Sequence, residues 1–204
     1  MNITVIGGTG NTGAAVVAEA ARRGHTVTSA SRSGRHAEGA ATDVAVEFAD
    51  TAAVVDLVNA ADATIVAVSP DRTGGPVQPT VDAFKALIAA RPTGRLVIVG
   101  GAGSLLDADG KRLVDSPDFP ADSKPEALAF SEVLDAFRAA GDNLAWTLVS
   151  PAPAYPSEQS TGAYVVGKDN PVGTNLSPAD FAIALVDEAE RDAHRGERFA
   201  VAGA

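Results

Sequence analysis

The stretch from Ile3 to Gly13, ITVIGGTGNTG, leaves few folds open to this chain. A β-branched apolar run (Ile3, Thr4, Val5, Ile6) passes without a break into Gly7, Gly8, Gly10 and Gly13, and then into Ala14-Ala15-Val16-Val17-Ala18-Glu19-Ala20-Ala21. The pattern predicts a buried strand, a glycine turn and a helix. The spacing Gly7-x-x-Gly10-x-x-Gly13 carries a chemical meaning in that context. A pyrophosphate lies against a helix N-terminus only where no Cβ stands between it and the backbone N–H groups, and glycine also supplies the positive φ of a tight turn. Strand, glycines and helix in this order predict nucleotide binding along Gly7, Gly8, Thr9, Gly10, Asn11, Thr12 and Gly13.

The rest of the chain repeats the unit. The first helix runs to Arg22-Arg23 and stops at Gly24, with cations at its C-terminal end. His25 to Ala30 is a second strand, and the residue at its tip selects the cofactor. A carboxylate there would bond the ribose 2′-hydroxyl of NAD, whereas arginine accommodates a 2′-phosphate. The chain has Ser31-Arg32-Ser33-Gly34-Arg35 and no acid until Glu38. This predicts NADP(H) in preference to NAD(H), with Arg32 the first candidate for the phosphate and Arg35 the second.

Further strands are expected at Val44 to Phe48, Ala63 to Val68, Arg95 to Val99, Leu144 to Val149 and Arg198 to Ala202. Helices are expected from Asp50-Thr51 to Ala60, Val77 to Ala90, Lys124 to Ala140 and Pro178 to Glu190. Beyond Ser150-Pro151 the alternation gives way to Pro153, Pro156 and a stretch rich in Gly, Ser and Thr. The expected fold class is α/β: a single doubly wound Rossmann domain over residues 1–204 with a mostly parallel sheet. Residues 151–176 form the loop-rich part of a small C-terminal lobe over the crevice.

Composition narrows the partners. A net charge of −10 without a Lys/Arg-rich run argues against a nucleic-acid surface. No run approaches the ~18 apolar residues of a membrane span, and no apolar signal segment precedes the first strand. Cysteine is absent, which fits a cytoplasmic protein. The three histidines are scattered and lack carboxylates at metal-ligand spacing, so no metal is expected. The partner left is a small-molecule acceptor, for a protein that is a monomer or a homodimer.

Seven segments together resemble one family: GGTGNTG at 7–13, VGGAGSL at 99–105, SKPEAL at 123–128, SPAP at 150–153, TGAYVVGKD at 161–169, SPADFAIALVDE at 177–188 and HRGERFAV at 194–201. In this order they resemble the atypical short-chain dehydrogenase/reductase group of NmrA-like and biliverdin reductase B-like NAD(P)H-binding proteins, among them proteins carried under the name NADH-flavin reductase. The resemblance implies cofactor contacts at Gly7, Thr9, Gly10, Asn11, Thr12, Gly13 and Arg32. It adds Glu47 and Phe48 near the adenine, Val68 and Ser69 after the fourth strand, and Gly100 and Gly101 beside the nicotinamide.

Typical short-chain dehydrogenases place Tyr-x-x-x-Lys on the helix of the fifth unit, one turn apart, where the lysine lowers the tyrosine pKa for proton exchange. The segment Lys124 to Ala140 contains no tyrosine. The literal match Tyr164-Val165-Val166-Gly167-Lys168 falls in β-like or loop sequence, and if extended its four residues span about 13 Å instead of the roughly 6 Å of a helical turn. The catalytic candidates are therefore Ser104, near the place of the usual serine, and Lys124, at the start of the helix expected to face the crevice. Without the tyrosine, hydride transfer from NADPH to an acceptor that stabilises its own charge, a flavin or quinone, asks least of the protein. The alternative is a regulator that senses NADP(H) without turning it over.

Overall fold

The computed structural model describes residues 1–204, the side chain of Asp142 excepted. The chain alternates β1 (Asn2–Ile6), α1 (Asn11–Arg22), β2 (Thr26–Ser31), β3 (Thr42–Ala45), α2 (Thr51–Asn59), β4 (Ala63–Val66), α3 (Gln78–Ala90), β5 (Leu96–Val99), α4 (Lys124–Ala140), β6 (Trp146–Pro151), β7 (Tyr164–Gly167), α5 (Pro178–Arg191) and β8 (Glu197–Gly203). The strands form one sheet in the order β3-β2-β1-β4-β5-β6-β8-β7. All pairs are parallel except β7 with β8.

The alternation of side chains along each strand makes this a three-layer structure. On β5, Val97 and Val99 face a core built with Val16 and Val17 of α1 and Phe181 and Leu185 of α5. Leu96 and Ile98 face the opposite core, which holds Val54, Phe84, Val133 and Phe137 of α2, α3 and α4. A strand covered on both faces favours apolar residues at every position, which is why β5 reads as a continuous apolar run and β4 departs from one only at the buried Thr64. The second core contains an aromatic chain: Phe48 meets Phe84 at 4.7 Å, Phe84 meets Phe137 at 6.3 Å, and Phe137 meets Trp146 at 5.4 Å.

Two strands shift from their expected positions. β3 lies at Thr42–Ala45 rather than Val44 to Phe48, because its partner β2 ends at Ser31, opposite Ala45. Val46 makes the last bond of the pair, its N–H donating to Ser31 O at 2.9 Å, and the side chains of Val46 and Phe48 pack into the core beyond the strand's end. β6 begins at Trp146 and continues through Pro151, since its pairing is set by β5 at Leu96 and by β8 as far as Val201. The Gly/Ser/Thr-rich lobe also contains β7, whose Tyr164 pairs with Gly203 and whose Gly167 pairs with Ala200.

At the amino edge of the sheet, buried polar groups tie the layers together. Arg95 donates to Glu188 at 2.6 Å and to Thr147 Oγ1 at 2.7 Å, and His194 Nδ1 lies 2.7 Å from the other Glu188 oxygen. At the opposite edge, beside the carboxyl end of β8, Asp180 in the first turn of α5 accepts from Ser160 Oγ at 2.7 Å and from the N–H groups of Thr161 and Gly162 at 3.0 and 2.9 Å, fixing the lobe to the helix. Burial alone would raise the Asp180 carboxyl, but these hydrogen bonds outweigh it and hold it below its ordinary value of 3.8.

Phe137→Ala, in the middle of the aromatic chain, is expected to cost about 3–5 kcal/mol in urea unfolding, whereas Leu128→Ala on the exposed side of α4 stays within about 0.5 kcal/mol. A depressed carboxyl stabilises the fold above its unfolded pKa. The Asp180 contribution is thus complete above about pH 4 and is lost as pH falls through the lower folded value. Asp180→Asn should flatten that part of the stability–pH curve, as measured by denaturant midpoints.

Candidate functional site

The strand order reverses between β1 and β4, and the glycine turn sits in the crevice at their carboxyl ends. Each glycine there answers to a different neighbour. Gly7 has φ +86°, and a Cβ on it would stand 2.4 Å from the carbonyl oxygen of Ala67, just beyond β4. On Gly8 a Cβ would meet Ser29 Oγ of β2 at 2.4 Å, and on Gly13 it would meet the Gly7 carbonyl oxygen at 2.0 Å. These three let β1, β2, β4 and α1 close on one another. Gly10 differs: it is exposed, caps α1 in an ordinary extended conformation, and a Cβ there would meet only Gly7 O, at 3.3 Å.

Helix α1 therefore begins under a glycine, with no side chain capping it and no carboxylate in its first turn. Its first N–H groups and the positive end of its dipole face the crevice, the arrangement that receives an anion. A dinucleotide diphosphate fits this cradle, because the one glycine not needed for packing is the one whose missing Cβ leaves the backbone open.

The arginine tip divides into two situations. Arg32 and Arg35 are both exposed, and Arg35 Nη2 reaches back to the carbonyl oxygen of Thr9 at 3.4 Å. Asp43, the nearest acid on the neighbouring strand, is already engaged by His36 at 2.7 Å and by the Ala37 N–H at 3.0 Å. Its carboxyl is held below the ordinary range, chiefly by the His36 bond. Glu47 is exposed in the turn before α2, and Phe48 packs edge-on against Phe84. Val68 is half-buried and Ser69 exposed after β4. After β5, Gly100 is required by Leu148, 2.4 Å from where a Cβ would be, while Gly101 borders Phe130.

Among the described residues no hydrogen bond joins the two catalytic candidates. Ser104 is 2% exposed, its hydroxyl lies 3.5 Å from the Gly101 carbonyl oxygen, and its own carbonyl accepts from the buried Arg198 at 3.2 Å. Its surroundings are those of a residue that shapes the turn after β5. Lys124 is exposed at the first position of α4. Tyr164 stands on β7 and donates to Asp187 of α5 at 2.6 Å. Burial, and then Asp187, push its phenol up to about 12.

The sequence analysis missed Tyr155. It follows the proline turn after β6, and its hydroxyl lies 2.5 Å from Thr12 Oγ1 in the first turn of α1. Its ring packs edge-on against Phe181 at 5.2 Å. Burial raises the phenol pKa, opposed by the Thr12 bond and the nearby Arg72 charge. The signal available was an aromatic residue just beyond the carboxyl end of a strand, on the edge that carries the glycines. Arg72, from the loop after β4, donates to Glu126 in the first turn of α4 at 2.9 and 2.6 Å.

A doubly wound sheet with a glycine turn at its switch point and an open helix N-terminus defines a nucleotide-binding Rossmann domain. The chain belongs to the NAD(P)H-binding family, whose model matches residues 7–192. It is 36% identical to the uncharacterized protein YwnB of Bacillus subtilis (strain 168), over 98% of both chains. A solved structure from Streptococcus pneumoniae TIGR4, provisionally described as an NADH-flavin reductase, is 34% identical over the whole of both chains with a TM-score of 0.86. Another from Bacteroides thetaiotaomicron, provisionally described as an epimerase, is 30% identical over 99% of this chain and 96% of that one, with a TM-score of 0.85.

The contrast among the glycines is testable. Gly13→Ala is expected to be severely destabilised, because the clash is with backbone. Gly10→Ala should retain its thermal midpoint to within a few degrees, the cost of alanine at an N-cap being roughly 1 kcal/mol, while losing dinucleotide affinity by about tenfold or more in calorimetric titration.

Proposed function

We propose that the protein is an NADPH-dependent oxidoreductase that passes hydride to a flavin, quinone or similarly conjugated acceptor. The observation that carries the reading is the open N-terminus of α1 at the sheet switch point, in a chain of the NAD(P)H-binding family. The name given to the Streptococcus pneumoniae structure supports the choice of reaction class. The nicotinamide, when bound, supplies the hydride. The chain's part is to bind and orient: the Gly10 N–H is spent on the Gly7 carbonyl oxygen at 2.9 Å, so the N–H groups of Asn11 and Thr12 in the uncapped first turn of α1 receive the diphosphate, and Arg32 and Arg35 receive the 2′-phosphate. The tip of β2 offers no carboxylate to a ribose 2′-hydroxyl, and Asp43 is held away by His36 and Ala37.

The absence of a tyrosine from α4 favours an acceptor that stabilises its own negative charge over an alcohol or a simple ketone. Ser104, almost fully buried, and Lys124, exposed at the head of α4, serve the site by shape and charge rather than as a proton-exchanging pair. No helix of the described residues is long and apolar enough to cross a membrane. With no cysteine in the chain, a cytoplasmic setting suits the reading.

A second reading rests on the same empty place in α4: a protein that binds NADP(H) and reports its occupancy to a partner without turnover. Titration with NADPH and NADH is expected to give tighter binding of NADPH. Arg32→Ala and Arg35→Ala should each weaken NADPH by roughly tenfold and leave NADH nearly unchanged, on the scale of a hydrogen bond to a charged group. Steady-state oxidation of NADPH with FMN, riboflavin or quinones then separates the two readings. Turnover above the uncatalysed rate supports the reductase, and tight binding without turnover supports the sensor.

A further inference from the structure

We propose that Tyr155 is a cofactor-binding residue contributed by the C-terminal lobe, and that its hydroxyl is held ready by Thr12 until a dinucleotide diphosphate arrives. This rests on the dinucleotide reading of the crevice and adds to it a ligand from outside the βα units. Thr12 belongs to the first turn of α1, at the helix end that has no side-chain cap. The Tyr155 hydroxyl, 143 residues further along the chain and 2.5 Å from Thr12 Oγ1, is thus one hydrogen bond away from where the diphosphate must lie.

The phenol is placed rather than merely present. Its ring is half-buried and packed on Phe181 of α5. The backbone on either side is tied to the far limb of the lobe, Ala154 N–H donating to Thr174 O at 2.8 Å and Ser157 N–H to Leu176 O at 2.9 Å. Its protonation state also suits an anion. The titratable and charged groups around it are few: Arg72 is the charge close enough to act on it, and the net effect of burial keeps the phenol protonated well beyond neutral pH. A neutral phenol donates to a phosphate oxygen, where a phenolate would repel it.

In the free protein the two hydroxyls satisfy each other. When the diphosphate occupies the N–H groups of the α1 turn, each hydroxyl has a charged acceptor in reach, and hydrogen bonds to charged acceptors are the stronger ones. Exchange of the Thr12 bond for a phosphate bond would fasten the lobe to the cofactor, so that the lobe registers whether the crevice is filled.

The test compares two ligands by calorimetry: 2′-phospho-ADP-ribose, which has the diphosphate, and adenosine 2′-monophosphate, which has the 2′-phosphate and adenosine but no phosphate on the 5′ side. Tyr155→Phe is expected to weaken the first by roughly tenfold and leave the second within twofold. The chain has only two tyrosines. With ¹³Cζ-labelled tyrosine, Tyr164→Phe identifies the remaining NMR signal as Tyr155, and that signal should move with 2′-phospho-ADP-ribose and stay with adenosine 2′-monophosphate. An unmoved resonance together with unchanged Tyr155→Phe affinities would overturn the proposal, as would an equal loss for both ligands. If the wild-type protein binds neither these ligands nor NADPH, the dinucleotide reading itself falls. Binding by wild type with an indifferent Tyr155 removes only the role of the lobe.

Discussion

The closest constraint in the molecule is the approach of α1 to the end of β1. Where Gly13 faces the Gly7 carbonyl there is room for a hydrogen and nothing larger. That contact fixes the angle at which the helix leaves the sheet, and so decides where its N-terminus points. The α1 side of the sheet follows from it, because Val16 and Val17 reach β1 and β5 only at that inclination, and α5 packs beside them. The anion-receiving crevice is then a by-product of close packing: the same turn that brings helix and strand together leaves the Gly10 backbone uncovered.

Much of this was legible in the sequence because it depends on local pattern. The strand–glycine–helix signature, the run from Lys124 to Ala140 and the capping serine at Ser177 each carry their own stop and start signals, and all three stand where the pattern puts them. Strand ends were less legible, since they are set by the neighbour. β3 stops where β2 stops, and β6 extends to Pro151 because β8 offers it partners. β7 has four residues and two exposed valines, and reads as loop until β8 is there to pair with it.

The candidate site divides in the same way. The glycines and Thr12 are contiguous and could be read directly, whereas Tyr155 reaches Thr12 only through tertiary structure. Ser104 is a different case. Its position in the chain agrees with that of a catalytic serine, yet the turn after β5 buries it and Arg198 holds its carbonyl. Chain position located the neighbourhood, and burial decided which atoms face the crevice. The exposure of Arg32 and Arg35 at the β2 tip could be read without tertiary information, because they lie in the turn that directly follows the strand.

The two ends of the sheet have been given opposite work. At the amino edge, the buried Arg95–Glu188 pair, with His194 bonded to the second Glu188 oxygen, closes the structure with polar groups that satisfy one another. At the carboxyl edge, backbone donors and exposed cations are left open. Substitutions that change what the crevice accepts therefore fall on loops that the foundation does not rest on. A chain of this build can therefore change what its crevice holds without disturbing the bonds that tie α5 to the far end of the sheet.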